Sequence, residues 1–296
     1  MFKIVRLNKK LLEEFRHLQN RNIEFNELNE DFFDVYENSN FTQQFFLRRC
    51  ISLLMYNDIP IGYIWTSSDN NYLYSIKCLY INTKYIIKND IKDSIQALDF
   101  LLNSLKKNCI YTFTCKKNEF NYIILEGTGF KKEHGTIQLY FSLNRDVEFL
   151  SIPKEVEIVN FRKGYDEEYR CNIQNEVFKS SSRIPLTVED IFYDELQSYY
   201  YDPGAVLLKS GDEFIGYGQI IIDRGEPFIV NLGVLSEYRG KHYGKVLILY
   251  LVNLLKHEGF EHVRIKVDSS NVRAFNLYSK VGFITESETN LWKLKR

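Results

Sequence analysis

Short apolar runs separated by turn residues fill the second half of the chain and predict β-strands. Ser210-Gly211-Asp212 lies between two such runs and indicates a hairpin. Strands are predicted at residues 156–161, 205–209, 214–222, 228–235 and 262–267, and in a last run that ends at Leu294. Residues between the first two strands, up to about Leu196, have helical spacing.

Two longer apolar segments predict helices, from about Tyr243 to His257 and from about Asn271 to Val281. Gly259 and Gly282 follow them and suit left-handed C-terminal caps. Helices, then an antiparallel meander, then a strand–helix–strand crossover predict an α/β (α+β) fold, with a mixed, mostly antiparallel central sheet flanked by helices.

The chain repeats itself. Asp58-Ile59-Pro60-Ile61-Gly62-Tyr63 is similar to Asp212-Glu213-Phe214-Ile215-Gly216-Tyr217, at an offset of 154 residues (61 to 215). The same or nearly the same offset relates Ile4-Val5 to Ile158-Val159, Asn118 to Asn271, and Gly129-Phe130 to Gly282-Phe283. A tandem duplication is therefore predicted, with domains at 1–150 and 151–296.

Composition excludes several classes of protein. With 296 residues, 45% hydrophobic and 26% charged, the chain is long enough for two ordinary globular domains. The net charge is −1, from 19 basic and 18 acidic residues in the first half and 19 and 21 in the second. Nucleic-acid binding needs a concentrated cationic face, so no nucleic-acid partner is expected.

The sequence gives little indication of a targeting segment or a metal site. No secretory signal opens the sequence, and the longest apolar run, Val246 to Val252, is far shorter than the roughly 20 residues of a membrane span. The five cysteines are scattered without a C-x-x-C spacing, so no metal site is predicted. A cytoplasmic protein without a membrane partner is expected.

The most informative segment joins a predicted strand to the helix at Tyr243. Gly240 and Gly244 leave the main chain open, and basic residues Arg239, Lys241 and Lys245 surround them. Free N–H groups at a helix N-terminus bind phosphate well. An ordinary turn with solvated cations is the alternative. Gly233, inside the preceding strand, indicates a bulge or a close backbone approach that opens the strand to an extended ligand.

A second cluster begins the last helix. Asn271 is a good N-cap residue, and Ala274 and Tyr278 follow on the same helix face. The amide and the phenol then flank a small residue, which leaves a groove for a narrow chain. Tyr278 as a half-buried core residue is the alternative.

Together the two segments resemble the GNAT superfamily of acyl-CoA-dependent N-acyltransferases. Arg239-x-x-x-x-Gly244 is similar to the family signature for the coenzyme A pyrophosphate, and Asn271-x-x-Ala274-x-x-x-Tyr278 to its second motif. The resemblance implies acetyl-CoA as co-substrate and Tyr278 as proton donor. It also implies cofactor contacts from a strand end, the turn and a helix cap: Leu232, Gly233, Val234, Arg239, Gly240, Lys241, His242, Tyr243, Gly244, Lys245 and Asn271.

The sequence departs from this family at two positions. His242 stands where glycine is usual, although histidine tolerates a left-handed backbone better than most residues. Lys266 stands where many members carry a glutamate that acts as general base. The general base is therefore unassigned, and the candidates are Asp223, Glu226 and Asp268.

The first copy lacks the residues of the chemistry. The basic turn falls on residues 86–92, which contain Asp90 and no glycine, and Tyr278 falls on Leu125. A degenerate, non-catalytic copy is expected, which packs on the second in a pseudo-dimeric monomer.

Transfer of acetyl from acetyl-CoA to a primary amine, on a small molecule or a peptide, is the predicted function. A non-catalytic CoA-binding regulatory protein is the alternative. The acidic, aromatic segment 187–202 could attract a cationic amine or be a solvated helix.

Overall fold

Two compact units make up the described part of the chain. The computed structural model describes residues 1–82, 91–145, 147–148, 151–181 and 183–296. One unit contains residues 1–136 together with 287–296, and the other contains residues 137–286. Residues 287–296 belong to the first unit, whereas the sequence predicts domains at 1–150 and 151–296.

The first unit is a sheet with helices packed on it. Its strands follow the spatial order β1-β2-β3-β4-β5-β12. All described pairings are antiparallel except that of β4 with β5, which is parallel. The strands are β1 (Phe2–Arg6), β2 (Ile51–Tyr56), β3 (Ile59–Ser68), β4 (Leu73–Ile81), β5 (Ile110–Lys116) and β12 (Ile284–Lys295). The helices are α1 (Leu12–Gln19), α2 (Phe32–Glu37), α3 (Phe41–Arg49), α4 (Ile91–Leu102) and α5 (Asn121–Gly127).

The second unit has the same kind of sheet, in the order β6-β11-β10-β9-β8-β7. Strands β7 to β10 pair antiparallel, and β10 pairs parallel with β11. The strands are β6 (Lys131–Ser142), β7 (Glu157–Asn160), β8 (Tyr200–Ser210), β9 (Glu213–Asp223), β10 (Glu226–Val234) and β11 (His262–Asp268). The helices are α6 (Glu167–Val177), α7 (Val188–Glu195), α8 (Tyr243–His257) and α9 (Val272–Val281). The predicted mixed, mostly antiparallel sheet with flanking helices is confirmed.

Helix α8 shows how the apolar pattern fixes an element. It begins at Tyr243 and ends at His257, as predicted, and Gly259 follows with a φ of 83°. Leu247, Leu251 and Leu255 lie on one helix face and are fully buried. Burial of each such side chain stabilises the fold by roughly 1.5–3 kcal/mol, so tertiary packing holds this helix in place.

The two copies share their cap geometry as well as their sequence. The side-chain oxygen of Asn118 accepts a hydrogen bond from the N–H of Asn121 at 2.8 Å. At the repeat-equivalent position, Asn271 accepts one from the N–H of Ala274 at 3.1 Å. Gly129 and Gly282 both have left-handed backbones, with φ of 86° and 110°. The duplication therefore preserves the signals that begin and end a helix.

Trp292 tests the contribution of β12 to the first unit. Its side chain is fully buried and contacts the ring of Tyr122 edge-on, with centroids 4.8 Å apart. Trp292→Ala is expected to lower the free energy of unfolding of this unit by about 3–5 kcal/mol, because a large buried side chain is lost. Urea unfolding followed by the fluorescence of Trp65, the other tryptophan and also in this unit, measures it.

Ile123→Ala is the control, since Ile123 is 48% exposed. We expect a change within about 0.5 kcal/mol. Equal effects of the two substitutions would contradict the assignment of β12 to this core.

Candidate functional site

A bulge in β10 organises the site. Val230 pairs with Gln219 of β9 and Gly233 with Tyr217, so two residues of β10 stand opposite one of β9. Asn231, within the bulge, has a φ of 52°. A Cβ at Gly233 would lie 2.2 Å from Cγ1 of Val177, so this position requires glycine. The predicted irregularity at Gly233 is confirmed, both as a bulge and as a close approach.

The described parallel ladder between β10 and β11 ends before the bulge. The described parallel ladder consists of Phe228 with Arg264 and Ile229 with Ile265. Leu232, Gly233 and Val234 lie past its end. On the side that faces β11, this segment therefore has no described strand pairing, and its backbone groups there can pair with an extended ligand.

The turn before α8 presents backbone N–H groups. Gly240 and His242 have left-handed backbones, with φ of 86° and 63°. The N–H groups of Lys245 and Val246 both bond to the carbonyl of His242. The N–H groups that precede them lie in the first turn, where no carbonyl of the helix can accept their hydrogen bonds. They are therefore able to bind an anion. The expectation that histidine sustains this turn is confirmed.

The cations of the turn have protein partners that a ligand could replace. Nε of Arg239 donates to the carbonyl of Val234 at 2.9 Å, which braces the turn against the strand end. Nζ of Lys245 lies 2.7 Å from a carboxylate oxygen of Glu148, and that glutamate is 52% exposed. An exposed ion pair contributes little to stability, so a phosphate can compete for Lys245. Lys241 lies over the ring of Tyr238, 5.6 Å from its centroid.

Two further predicted residues lie on α9. The side-chain oxygen of Asn271 caps the helix, which leaves the amide N–H groups for other contacts. The ring of Tyr278 is buried. Its hydroxyl is not one of the described polar atoms that are buried without a hydrogen-bond partner. Burial raises the pKa of Tyr278 to about 12, so its phenol is protonated at neutral pH.

The three candidate bases fare differently. Glu226 bonds to His262 at 2.5 Å and to Arg264, and these contacts lower its pKa. It lies seven residues from Gly233, roughly 23 Å along the strand, and Asp223 pairs opposite it, so both lie far from Gly233. Asp268 is the last residue of β11 and accepts a hydrogen bond from the N–H of Ser270 at 2.8 Å.

Sequence reasoning missed a buried polar network behind the bulge. The amide of Asn231 donates to Oε1 of Gln219 at 3.0 Å, and Nε2 of Gln219 donates to Oδ2 of Asp194 at 3.2 Å. Arg170, which is 1% exposed, donates to both Asp194 and Gln219. Burial opposes ionisation of Asp194, but the hydrogen bonds of Arg170, Tyr199 and Gln219 outweigh it and lower its pKa. The members lie on four separate elements, so no local motif signals them.

The first copy is described only in part at the equivalent positions. Residues 86–90 of the counterpart turn, including Asp90, lie outside the described residues. Leu125, the counterpart of Tyr278, is fully buried. The first unit therefore has no phenol at this position.

Residues 169–283 match the model of the acetyltransferase (GNAT) family. The chain contains a GNAT acetyltransferase domain. The match runs from α6 to the start of β12 and so includes the bulge, the turn and both motifs. The GNAT domain lies within the second compact unit.

Mycothiol acetyltransferases of several bacteria are similar to part of this chain. A mycothiol acetyltransferase of Acidothermus cellulolyticus is 25% identical over 52% of this chain and 53% of that protein. One of Stackebrandtia nassauensis is 30% identical over 43% of this chain and 44% of that protein. The chain spans about half the length of the curated relatives it matches.

A solved structure shares the fold over nearly the whole chain. The GCN5-related N-acetyltransferase of Sphaerobacter thermophilus superposes with a TM-score of 0.57 and 15% identity, covering 99% of this chain and 95% of that one. The described helices include none with both the length and the apolar character for a bilayer. Nor do the described side chains form a cluster of three or more His, Cys, Asp or Glu suited to a metal ion.

The left-handed backbone at His242 is testable. A β-branched residue is strained at a φ of 63°, so His242→Val is expected to destabilise the second unit by about 1–2 kcal/mol. His242→Gly is the matched control and should be at least as stable as the natural chain. Thermal unfolding followed by circular dichroism measures both; a valine variant as stable as the glycine variant would refute the assigned backbone.

Proposed function

We propose that this chain transfers an acetyl group from acetyl-CoA to the amine of an acceptor. The observation that carries the proposal is the open segment of β10 beside a turn whose N–H groups precede α8. An extended arm along the strand and a pyrophosphate at the helix start fit this arrangement. The family of the domain supports the same reading.

The proposed contacts follow from this geometry. Backbone groups of Leu232, Gly233 and Val234 pair with the pantetheine arm. The pyrophosphate accepts hydrogen bonds from the turn formed by Gly240, Lys241, His242, Tyr243, Gly244 and Lys245. Arg239 and Lys245 add charge, and the amide of Asn271 donates to the cofactor from the cap of α9.

The proposed reaction is a direct attack in a ternary complex. The neutral amine nitrogen bonds to the thioester carbonyl carbon, whose oxygen is polarised by a backbone N–H near Val234. The carbon–sulfur bond then breaks, and Tyr278 gives its proton to the departing thiolate. The amine proton leaves through water, and the phenolate regains a proton from solvent. Lys266 occupies the position where a carboxylate base is usual, so in this route water accepts the amine proton.

The acceptor is a primary amine of a small molecule or a peptide. The relatives are named for mycothiol, which makes that chemistry a first candidate to assay. The proposed reaction takes place in the cytoplasm.

A CoA-binding protein without catalysis is the second candidate, and Lys266 favours it. Its ammonium lies 5.2 Å from the ring centroid of Phe228, and a cation at this position cannot accept the amine proton. A thiol-release assay across an amine panel separates the two, because only the enzyme frees CoA.

Cofactor binding is tested at Gly244. Gly244→Leu is expected to weaken acetyl-CoA binding at least about tenfold in calorimetry, because the side chain fills the phosphate approach. Gly244→Ala is the control, since its Cβ meets only the flexible end of Leu277 at 3.2 Å. Equal affinity of the leucine variant and the natural chain would exclude this phosphate site.

Tyr278→Phe tests the proton donor. Turnover is expected to fall ~10²–10⁴-fold while acetyl-CoA affinity is unchanged, because the substitution removes one hydroxyl and keeps the ring. Steady-state kinetics with calorimetry measures both. Since the raised pKa keeps the phenol protonated, the natural enzyme should show no falling limb of kcat below about pH 10. Unchanged turnover, or a falling limb well below that pH that the variant lacks, would rule out the role.

A further inference from the structure

A cleft of about 320 Å³ opens between α6, α7 and the bulge of β10. Asn231 of the bulge forms part of its wall. The adjacent residue, Leu232, begins the segment to which we assign the thioester-bearing arm. The main polar residues of the cleft are Arg170, Gln174, Arg183, Asp190, Asp194 and Asn231. A molecule in this cleft lies beside the proposed reaction centre.

The carboxylates of the cleft already have donors. Asp194 accepts hydrogen bonds from Arg170, Gln219 and, at 2.8 Å, the hydroxyl of Tyr199. Oδ2 of Asp190 accepts from the N–H of Thr187 at 2.8 Å and from its hydroxyl at 3.1 Å, in a capping box. These two aspartates therefore serve the fold and are poor partners for a cationic amine.

Three buried donor atoms of cleft residues lack a hydrogen-bond acceptor among the described residues, although the guanidinium of Arg170 lies 5.0 Å from the ring centroid of Tyr217. Nε and Nη1 of Arg170 and Nε2 of Gln174 are buried without a hydrogen-bond partner among the described residues. Both side chains are 1% exposed, and they are one helical turn apart on α6. Unpaired buried donors destabilise a fold, so a ligand that supplies oxygen acceptors here recovers that loss.

We propose that the cleft selects an acceptor that carries a carboxylate next to its amine, as an amino acid does. The inference rests on the proposed acetyl transfer. A carboxylate offers the acceptor geometry that a guanidinium matches best, and Arg183 adds a second cation at the cleft. Two arginines and two aspartates make the lining neutral, which suits a zwitterion. The carboxylate binds at Arg170 and Gln174, and the amine faces Asn231.

The test compares matched amines with the full chain at saturating acetyl-CoA. One set is L-leucine, L-leucinamide and 3-methylbutylamine, and the other is L-phenylalanine, L-phenylalaninamide and phenethylamine. We expect kcat/KM for at least one acid to exceed that of its amide and its amine by tenfold or more, measured as acetylated product by mass spectrometry. Equal use of the amide or the amine overturns the proposal, as does bound acetyl-CoA with no acetylated acid.

Two variants locate the selectivity. Gln174→Leu is expected to lower the preference for the acid at least fivefold without lowering the melting temperature, because it removes an unpaired buried donor. Arg183→Gln should lower it as well. Gln96→Leu, on an exposed position of α4, and Lys179→Gln, on an exposed lysine outside the cleft, are the matched controls. A preference that both cleft variants retain overturns the proposal.

A failure of the proposed function is distinguishable from a failure of the cleft. If calorimetry shows no acetyl-CoA binding, the acetyl-transfer proposal fails. The cleft is then judged by calorimetry of the two acids and the two amines with the natural chain and with Gln174→Leu. Binding of an acid alone, weakened in the variant, supports the carboxylate site; equal or absent binding overturns it.

Discussion

The hydrogen bond from Asn231 to Gln219 joins the bulge of β10 to the buried interior of the second unit. A left-handed backbone at a residue other than glycine costs about 1–2 kcal/mol. Asn231 is well suited to it, and the chain of hydrogen bonds through Gln219 to Asp194 and Arg170 offsets the cost.

The change of register determines what lies beyond it. It brings Gly233 against Val177 and places the strand end where Arg239 can bond to the carbonyl of Val234. The turn is thereby fixed relative to the strand, and α8 begins at a defined point after His242. One bulge in β10 thus positions both the open strand segment and the N–H groups of the turn.

Local signals in the sequence predicted local structure well. The apolar spacing gave both ends of α8, Gly259 and Gly282 gave the caps, and Gly233 gave the irregular strand, because each of these depends on a few consecutive residues. The network of Arg170 could not be predicted, since its members meet only after folding. The base candidates Asp223 and Glu226 lie far from Gly233 for a related reason: closeness in sequence does not give closeness along an extended strand.

Strand β12 also bears on how the chain is made. Its larger part pairs with β5 in the first unit, yet it follows the whole of the second unit along the chain. At ordinary elongation rates, about 8–30 s separate the synthesis of the two parts of this unit. During that interval the N–H and C=O groups of β5 that β12 will cover form an unpaired sheet edge. The first unit is therefore completed only after the second unit has been synthesised, and the nascent chain needs protection from other strands until β12 emerges.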